Sequence, residues 1–114
     1  KRYWEKLNKQ YMRLNCYDDN LEPNYAYFPV VFENKIKRDK VYQALRDENI
    51  FARKYFYPIT ADAACFRNKY KNDLLEKARK FSDCILVLPL YSELKFEDVD
   101  RIAFIVNRVV EEID

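Results

Sequence analysis

The chain has 114 residues, 49% of them hydrophobic and 35% charged, which is the profile of one folded domain or a piece of a larger protein. It contains no glycine and no histidine, which excludes the Walker P-loop, the G-x-G-x-x-G turn, the G-x-S-x-G nucleophile elbow, His-based triads and H-E-x-x-H metal sites. The 21 basic and 19 acidic side chains leave a net charge of +2, without the basic stripe that nucleic-acid binders show, and no run approaches the roughly 18 apolar residues of a membrane span.

Residues 1–14 place Tyr3, Trp4, Leu7, Tyr11 and Leu14 at helical spacing, with Lys1, Lys6, Lys9 and Arg13 on the wet side. This predicts one helix over the whole stretch. Residues 15–24 are polar and read as a loop. Residues 25–32 are aromatic and β-branched and predict a strand, with Pro29 at a sheet edge or with its missing donor turned away from a neighbour. Residues 37–49 predict a helix capped by Asn34, with Val41, Leu45 and Tyr42 facing inward.

Residues 50–57 predict a second strand, stopped by Pro58. Residues 60–72 are irregular, with one helical turn around 63–67. Residues 73–82 predict a short helix with Leu74, Leu75, Ala78 and Phe81 inward. Residues 84–88 form a nearly all-apolar run, expected to be the most buried strand. Residues 96–113 carry Val99, Ile102, Val106, Val109, Val110 and Ile113 on one stripe, with Glu97, Asp98 and Asp100 at the positive end of the helix. The order α-β-α-β-α-β-α implies an α/β (α+β) small domain with a sheet of about three strands flanked by helices. The connections permit either strand sense.

Chemistry-bearing residues are sparse. Cys16, Cys65 and Cys84 lie far apart without a C-x-x-C pair, which fits three buried thiols in a reducing cytoplasm and no metal site. In an extended strand, Arg53, Tyr55 and Tyr57 share one face, able to hold an anion and stack on a flat ring. The plainer reading, favoured on residue type, is a half-buried aromatic strand face with a solvent-facing Arg. Tyr25 and Tyr27 also share a face, and neighbouring aromatics could stack nucleic-acid bases, though a Tyr-rich core edge is favoured. The cluster Arg67, Lys69, Lys71, Lys77, Arg79 and Lys80 reads as a solvated surface. No residue is nominated as catalytic.

Three motifs carry a family resemblance: NYAYFPVVF at 24–32, RDKVYQALRDENIFARKYFYP at 38–58, and SDCILVLPLY at 82–91 followed by FEDVD at 96–100. In this order they resemble the C-terminal part of the DegT/DnrJ/StrS family of nucleotide-sugar aminotransferases. The resemblance implies the small domain of a pyridoxal-phosphate enzyme that transfers an amino group from an amino acid to a nucleotide-linked keto sugar. It makes residues 1–14 an interdomain helix and residues 25–114 the sheet with its covering helices. Arg53, Tyr55, Tyr57 and Thr60 become the substrate-binding candidates. Many members carry His two residues after the strand's Tyr-Pro, where this chain has Thr60.

The cofactor lysine is then expected in a large N-terminal domain preceding Lys1, so this chain alone should neither bind pyridoxal phosphate specifically nor transaminate. The implied parent is a cytoplasmic homodimer with no membrane and no nucleic-acid partner. Trp4, Tyr11 and one sheet face, turned toward the large domain, are expected to lie bare and to favour self-association. The alternative is a stand-alone aromatic-sheet module for single-stranded nucleic acid or a protein partner.

Overall fold

In the computed structural model, which describes residues 1–70 and 75–113, the described residues form α1 (Arg2–Lys6), β1 (Met12–Leu14), β2 (Phe28–Phe32), α2 (Lys35–Asp47), β3 (Arg53–Lys54), α3 (Glu76–Cys84), β4 (Ile85–Leu88) and α4 (Phe96–Glu112), with two short 3-10 turns between β3 and α3. The strands make one sheet in the order β1-β2-β4-β3, and every neighbouring pair is antiparallel.

Alternation along the strands decides which face is covered. Phe28, Val30 and Phe32 are buried on β2 while Pro29 and Val31, on the opposite face, are half-buried. Leu86 and Leu88 join the first set from β4, opposite Val30 and Phe28. Against this face pack Val41 and Leu45 of α2 and Val99, Ile102, Val106, Val109 and Val110 of α4. The stripes expected for these two helices are therefore the core. Asn34 caps α2, its side-chain oxygen accepting the Lys37 N–H at 2.9 Å. Asn49 turns the chain out of the helix at φ 58°, and Ile50 N–H donates back to the Leu45 carbonyl at 2.8 Å. Pro29 pairs with Val87 of β4, but β1 ends opposite Val30. On the β1 side Pro29 is thus at an edge, as its missing N–H requires.

Several expectations are corrected. The helix over 1–14 stops at Lys6. Asn107 of α4 accepts the Asn8 N–H at 2.9 Å and donates to the Lys6 carbonyl at 2.8 Å, while the Asn8 side chain accepts the Gln10 N–H at 3.1 Å. These bonds satisfy the helix end and turn the chain, so Met12–Leu14 joins the sheet as its first strand. Among the described residues the sheet accordingly has four strands where about three were expected, and the parallel option is not taken. The strand at 25–32 begins only at Phe28, and that at 50–57 shrinks to Arg53–Lys54.

The helix expected at 73–82 runs from Glu76 to Cys84; Asp73 and Leu74 fall outside the described residues. Ala78 and Phe81 face outward instead of inward, and Ser82 and Cys84 are buried. The reason is at the helix end, where the Ser82 carbonyl accepts from the buried Arg38 at 2.8 Å and fixes the rotation of α3. Phe81 is left lining an open cleft of about 620 Å³ with Tyr11, Met12, Val31 and Phe32. Trp4 and Tyr11 are half-buried against the core rather than bare. Of the thiols only Cys84 is buried, its pKa raised by that burial; Cys16 and Cys65 are exposed.

Candidate functional site

The segment from Arg53 to Thr60 leaves the sheet almost as soon as it enters it. Arg53 pairs with Val87 and Lys54 with Leu86. Phe56 then takes a left-handed backbone at φ 47°, a conformation disfavoured for an aromatic residue and held here by its surroundings. The hydroxyl of Ser82 donates to the Phe56 carbonyl at 2.8 Å and pins the turn to α3. The Tyr57–Pro58 peptide is cis.

This turn lays the Tyr57 ring over the start of α2. The guanidinium carbon of Arg38 stands 4.8 Å from the ring centroid, the ammonium of Lys35 5.2 Å and that of Lys54 5.4 Å. Three cations around one aromatic ring make a favourable electrostatic seat for it. Asp39 partly balances them, accepting from Arg38 Nε at 2.8 Å and from Lys54 Nζ at 2.7 Å. Burial would raise the Asp39 carboxyl, but the Lys54 and Arg38 contacts outweigh it and hold the pKa below its usual value. Lys35 is pushed up, first by the neighbouring Tyr57 hydroxyl and then by Asp83 at 3.7 Å.

Beside Tyr57 a small cleft of about 240 Å³ is lined by Lys35, Pro58, Ile59, Asp62, Arg79, Ser82 and Asp83. Asp62 and Arg79 form an ion pair across it. Tyr55 points elsewhere: its ring lies 5.8 Å from that of Tyr27 and 4.2 Å from that of Phe56.

Arg53, Tyr55 and Tyr57, expected on one strand face, therefore do not share it. Tyr57 sits among cations and Tyr55 belongs to an aromatic cluster with Tyr27. Arg53 and Thr60 are exposed on either side of the turn, and neither side chain takes part in the contacts just described. The shared strand face of Tyr25 and Tyr27, favoured in the sequence as a core edge, is also corrected. Both lie before β2 and are exposed, with Tyr25 at φ 52°. Sequence reasoning missed Lys35, Arg38 and Lys54. The signal for Arg38 was present, since it stands three residues before Val41 and seven before Leu45 and so continues the apolar stripe of α2.

Pyridoxal phosphate, the cofactor that the resemblance implies, needs a lysine partner in the enzyme that binds it. A lysine that links to such a cofactor works as a neutral amine in a desolvated pocket. The most buried described lysine, Lys37, is 4% exposed and is ion-paired with Glu33 at 2.9 Å. Lys54 is likewise bound to a carboxylate, that of Asp39.

The relatives give this arrangement its context. The model of the DegT/DnrJ/EryC1/StrS aminotransferase family matches residues 1–107. A dTDP-4-amino-4,6-dideoxy-D-glucose transaminase of Escherichia coli is 36% identical over 87 residues, covering 73% of this chain and 24% of the relative. A transaminase of the same description from Shigella dysenteriae is 31% identical over 88 residues, 75% of this chain and 24% of its own length. The chain thus spans about a quarter of the curated relatives it matches.

Among solved structures, Spr1654 of Streptococcus pneumoniae, described as a sugar aminotransferase in its PMP form, superposes with a TM-score of 0.83 at 20% identity, covering 99% of this chain and 29% of that one. A protein of Bacillus cereus described as a PLP-dependent aminotransferase superposes with a TM-score of 0.60 at 25% identity, covering 70% of this chain and 22% of its own. The first likeness establishes the fold: a small antiparallel sheet flanked by helices. The family match runs through β1, the cationic turn and most of α4, and the chain belongs to the DegT/DnrJ/EryC1/StrS aminotransferase family.

Proposed function

We propose that the chain is the C-terminal small domain of a pyridoxal-phosphate aminotransferase that moves an amino group from an amino acid to a nucleotide-linked keto sugar. The family match over residues 1–107 carries this reading, and both curated relatives named above are transaminases of a dTDP-amino sugar. The cofactor supplies the electron sink of the reaction. Its lysine belongs to a large domain outside this chain, because the described lysines are paired with carboxylates or lie at the surface.

The role of this domain is to close over the nucleotide sugar. Tyr57, framed by Lys35, Arg38 and Lys54, offers a flat ring within a positive field, suited to a sugar or base edge beside a phosphate. Arg53, Tyr55 and Thr60 complete the contacts as the turn meets the large domain. Thr60 supplies a hydroxyl where many relatives have an imidazole, so sugar selection differs from theirs. The parent acts in the cytoplasm as a homodimer, and the exposed thiols Cys16 and Cys65 stay reduced there.

The test compares two proteins. The full-length protein that carries this chain should aminate a dTDP-4-keto-sugar in the presence of pyridoxal phosphate and an amino acid. The 114-residue chain alone should show neither activity nor a stoichiometric visible cofactor band. A band on the isolated chain, fixed to one lysine by borohydride, overturns the domain reading. A full-length protein without transamination overturns the activity.

A further inference from the structure

We propose that Arg38 is a positioning residue for Tyr57, a guanidinium plate that fixes the plane in which the ring meets the substrate. The inference rests on the reading of Tyr57 as a substrate contact and deepens it. Helix spacing carries Arg38 into the interior beneath the apolar stripe of α2, and the residue is wholly buried. A buried charge is unfavourable unless its donors are engaged. Nε donates to Asp39 at 2.8 Å, and Nη1 donates to the carbonyls of Ser82 at 2.8 Å and Ile85 at 3.3 Å. Nη2 is buried and has no hydrogen-bond acceptor. The Tyr57 ring centroid lies 4.8 Å from the guanidinium carbon, where the negative face of a ring offers the partner that Nη2 lacks.

These contacts form one mechanical unit. Arg38 holds the end of α3 and the first residue of β4 through two carbonyls. Ser82, whose carbonyl Arg38 binds, holds the Phe56 carbonyl through its hydroxyl at 2.8 Å. The residue just before Tyr57 and the face of Tyr57 itself are thus tied to the same buried guanidinium. Tyr57 remains 40% exposed, so a ligand can reach the ring while Arg38 fixes its plane. Lys35 and Lys54, on flexible stems, add charge near the ring without a planar surface to set its tilt.

A merely structural Arg38 would bind the two carbonyls and ignore the ring, so the first readout is the ring. In the wild-type chain the Arg38 Nε–H and Nη–H proton resonances should be displaced upfield by the Tyr57 ring current, and Tyr57→Leu should remove the displacement while the fold persists. Guanidinium signals unchanged by Tyr57→Leu overturn the proposal, and this arm needs no Arg38 variant to fold.

The second readout uses the full-length protein. Arg38→Lys keeps the charge and loses the plate. It should raise KM for the nucleotide sugar about fivefold with kcat within about twofold, and Tyr57→Leu should do the same. A normal KM in Arg38→Lys beside a raised KM in Tyr57→Leu overturns the positioning role. A normal KM in Tyr57→Leu with the resonance displacement intact instead overturns the substrate reading and leaves the Arg38–Tyr57 coupling standing.

Discussion

Helix α4 and the turn that carries Tyr57 are built by opposite rules. Along α4 five apolar residues recur at helical spacing and all are buried, so one period in the sequence decides both the shape of the element and what it touches. Residues 50–57 also read as a strand, yet only Arg53 and Lys54 stay in the sheet. Their path is decided by groups distant in sequence: Ser82 on the Phe56 carbonyl and Arg38 beneath the Tyr57 ring. The first region is local information made stable by burial. The second is a loop shaped by long-range polar contacts, the common setting for a binding site.

The sharpest break of this contrast is in the core. Leu86 is completely buried between the sheet and its covering helices, and Leu86→Ala should cost about 3 kcal/mol through lost burial and a residual cavity. The expected fall in Tm is about 10 °C or more by calorimetry for a domain of this size. A change of a degree or two would show that the β4 face is not the centre of the core. The next effect is local. Asn34→Ala removes the cap on α2 and should cost about 1 kcal/mol in a denaturant melt. Because α2 carries Arg38, the same variant should also loosen the Tyr57 ring, seen as faster ring flipping by NMR.

Tyr57→Leu sharpens the contrast from the other side. The ring is 40% exposed and packs on cations rather than in the core, so the stability change should stay near 0.5–1 kcal/mol, roughly the worth of a partly exposed cation–π contact. Its consequence belongs to substrate affinity instead. A loss as large as that of Leu86→Ala would place Tyr57 in the core and weaken its reading as a ligand contact.

The same division explains what was legible in the sequence. The stripes of α2 and α4 and the Asn34 cap follow from short-range pattern, and so does most of the apolar run at 84–88, where Leu86, Val87 and Leu88 are buried, Ile85 is half-buried and Cys84 ends α3. The break of the first helix was not legible, because it depends on Asn107 meeting Asn8 and Lys6 about a hundred residues away in the chain. The rotation of α3 was not legible because Arg38 sets it from another helix. At the site, the residue types of Tyr55 and Tyr57 were noticed, but their assumed common face required an extended strand. A left-handed Phe56, which no glycine announced, sends the two rings to different neighbours.

The smallest expected effect concerns charge, and it separates the two regions once more. The Asp100 carboxyl of α4 is held low, first by its hydrogen bond from Arg2 at 2.8 Å, and Asp39 at the site is held low by Lys54 and Arg38. A carboxylate whose folded pKa lies below its unfolded value stabilises the protein above the unfolded value, near 3.8. That stabilisation is lost as pH falls through the folded value. Both Asp100→Asn and Asp39→Asn should therefore flatten the acid limb of the Tm-against-pH curve below about pH 4 and leave its neutral slope unchanged. Salt should tell the two apart. Arg2 and Asp100 are each more than a third exposed, so 1 M NaCl, with a screening length of about 3 Å, should erase most of the Asp100 effect. Asp39 is itself 38% exposed but faces a guanidinium that is wholly buried, and less of its effect should disappear. Equal salt sensitivity would mean that water reaches Arg38, and the plate beneath Tyr57 would then be no firmer than a surface ion pair.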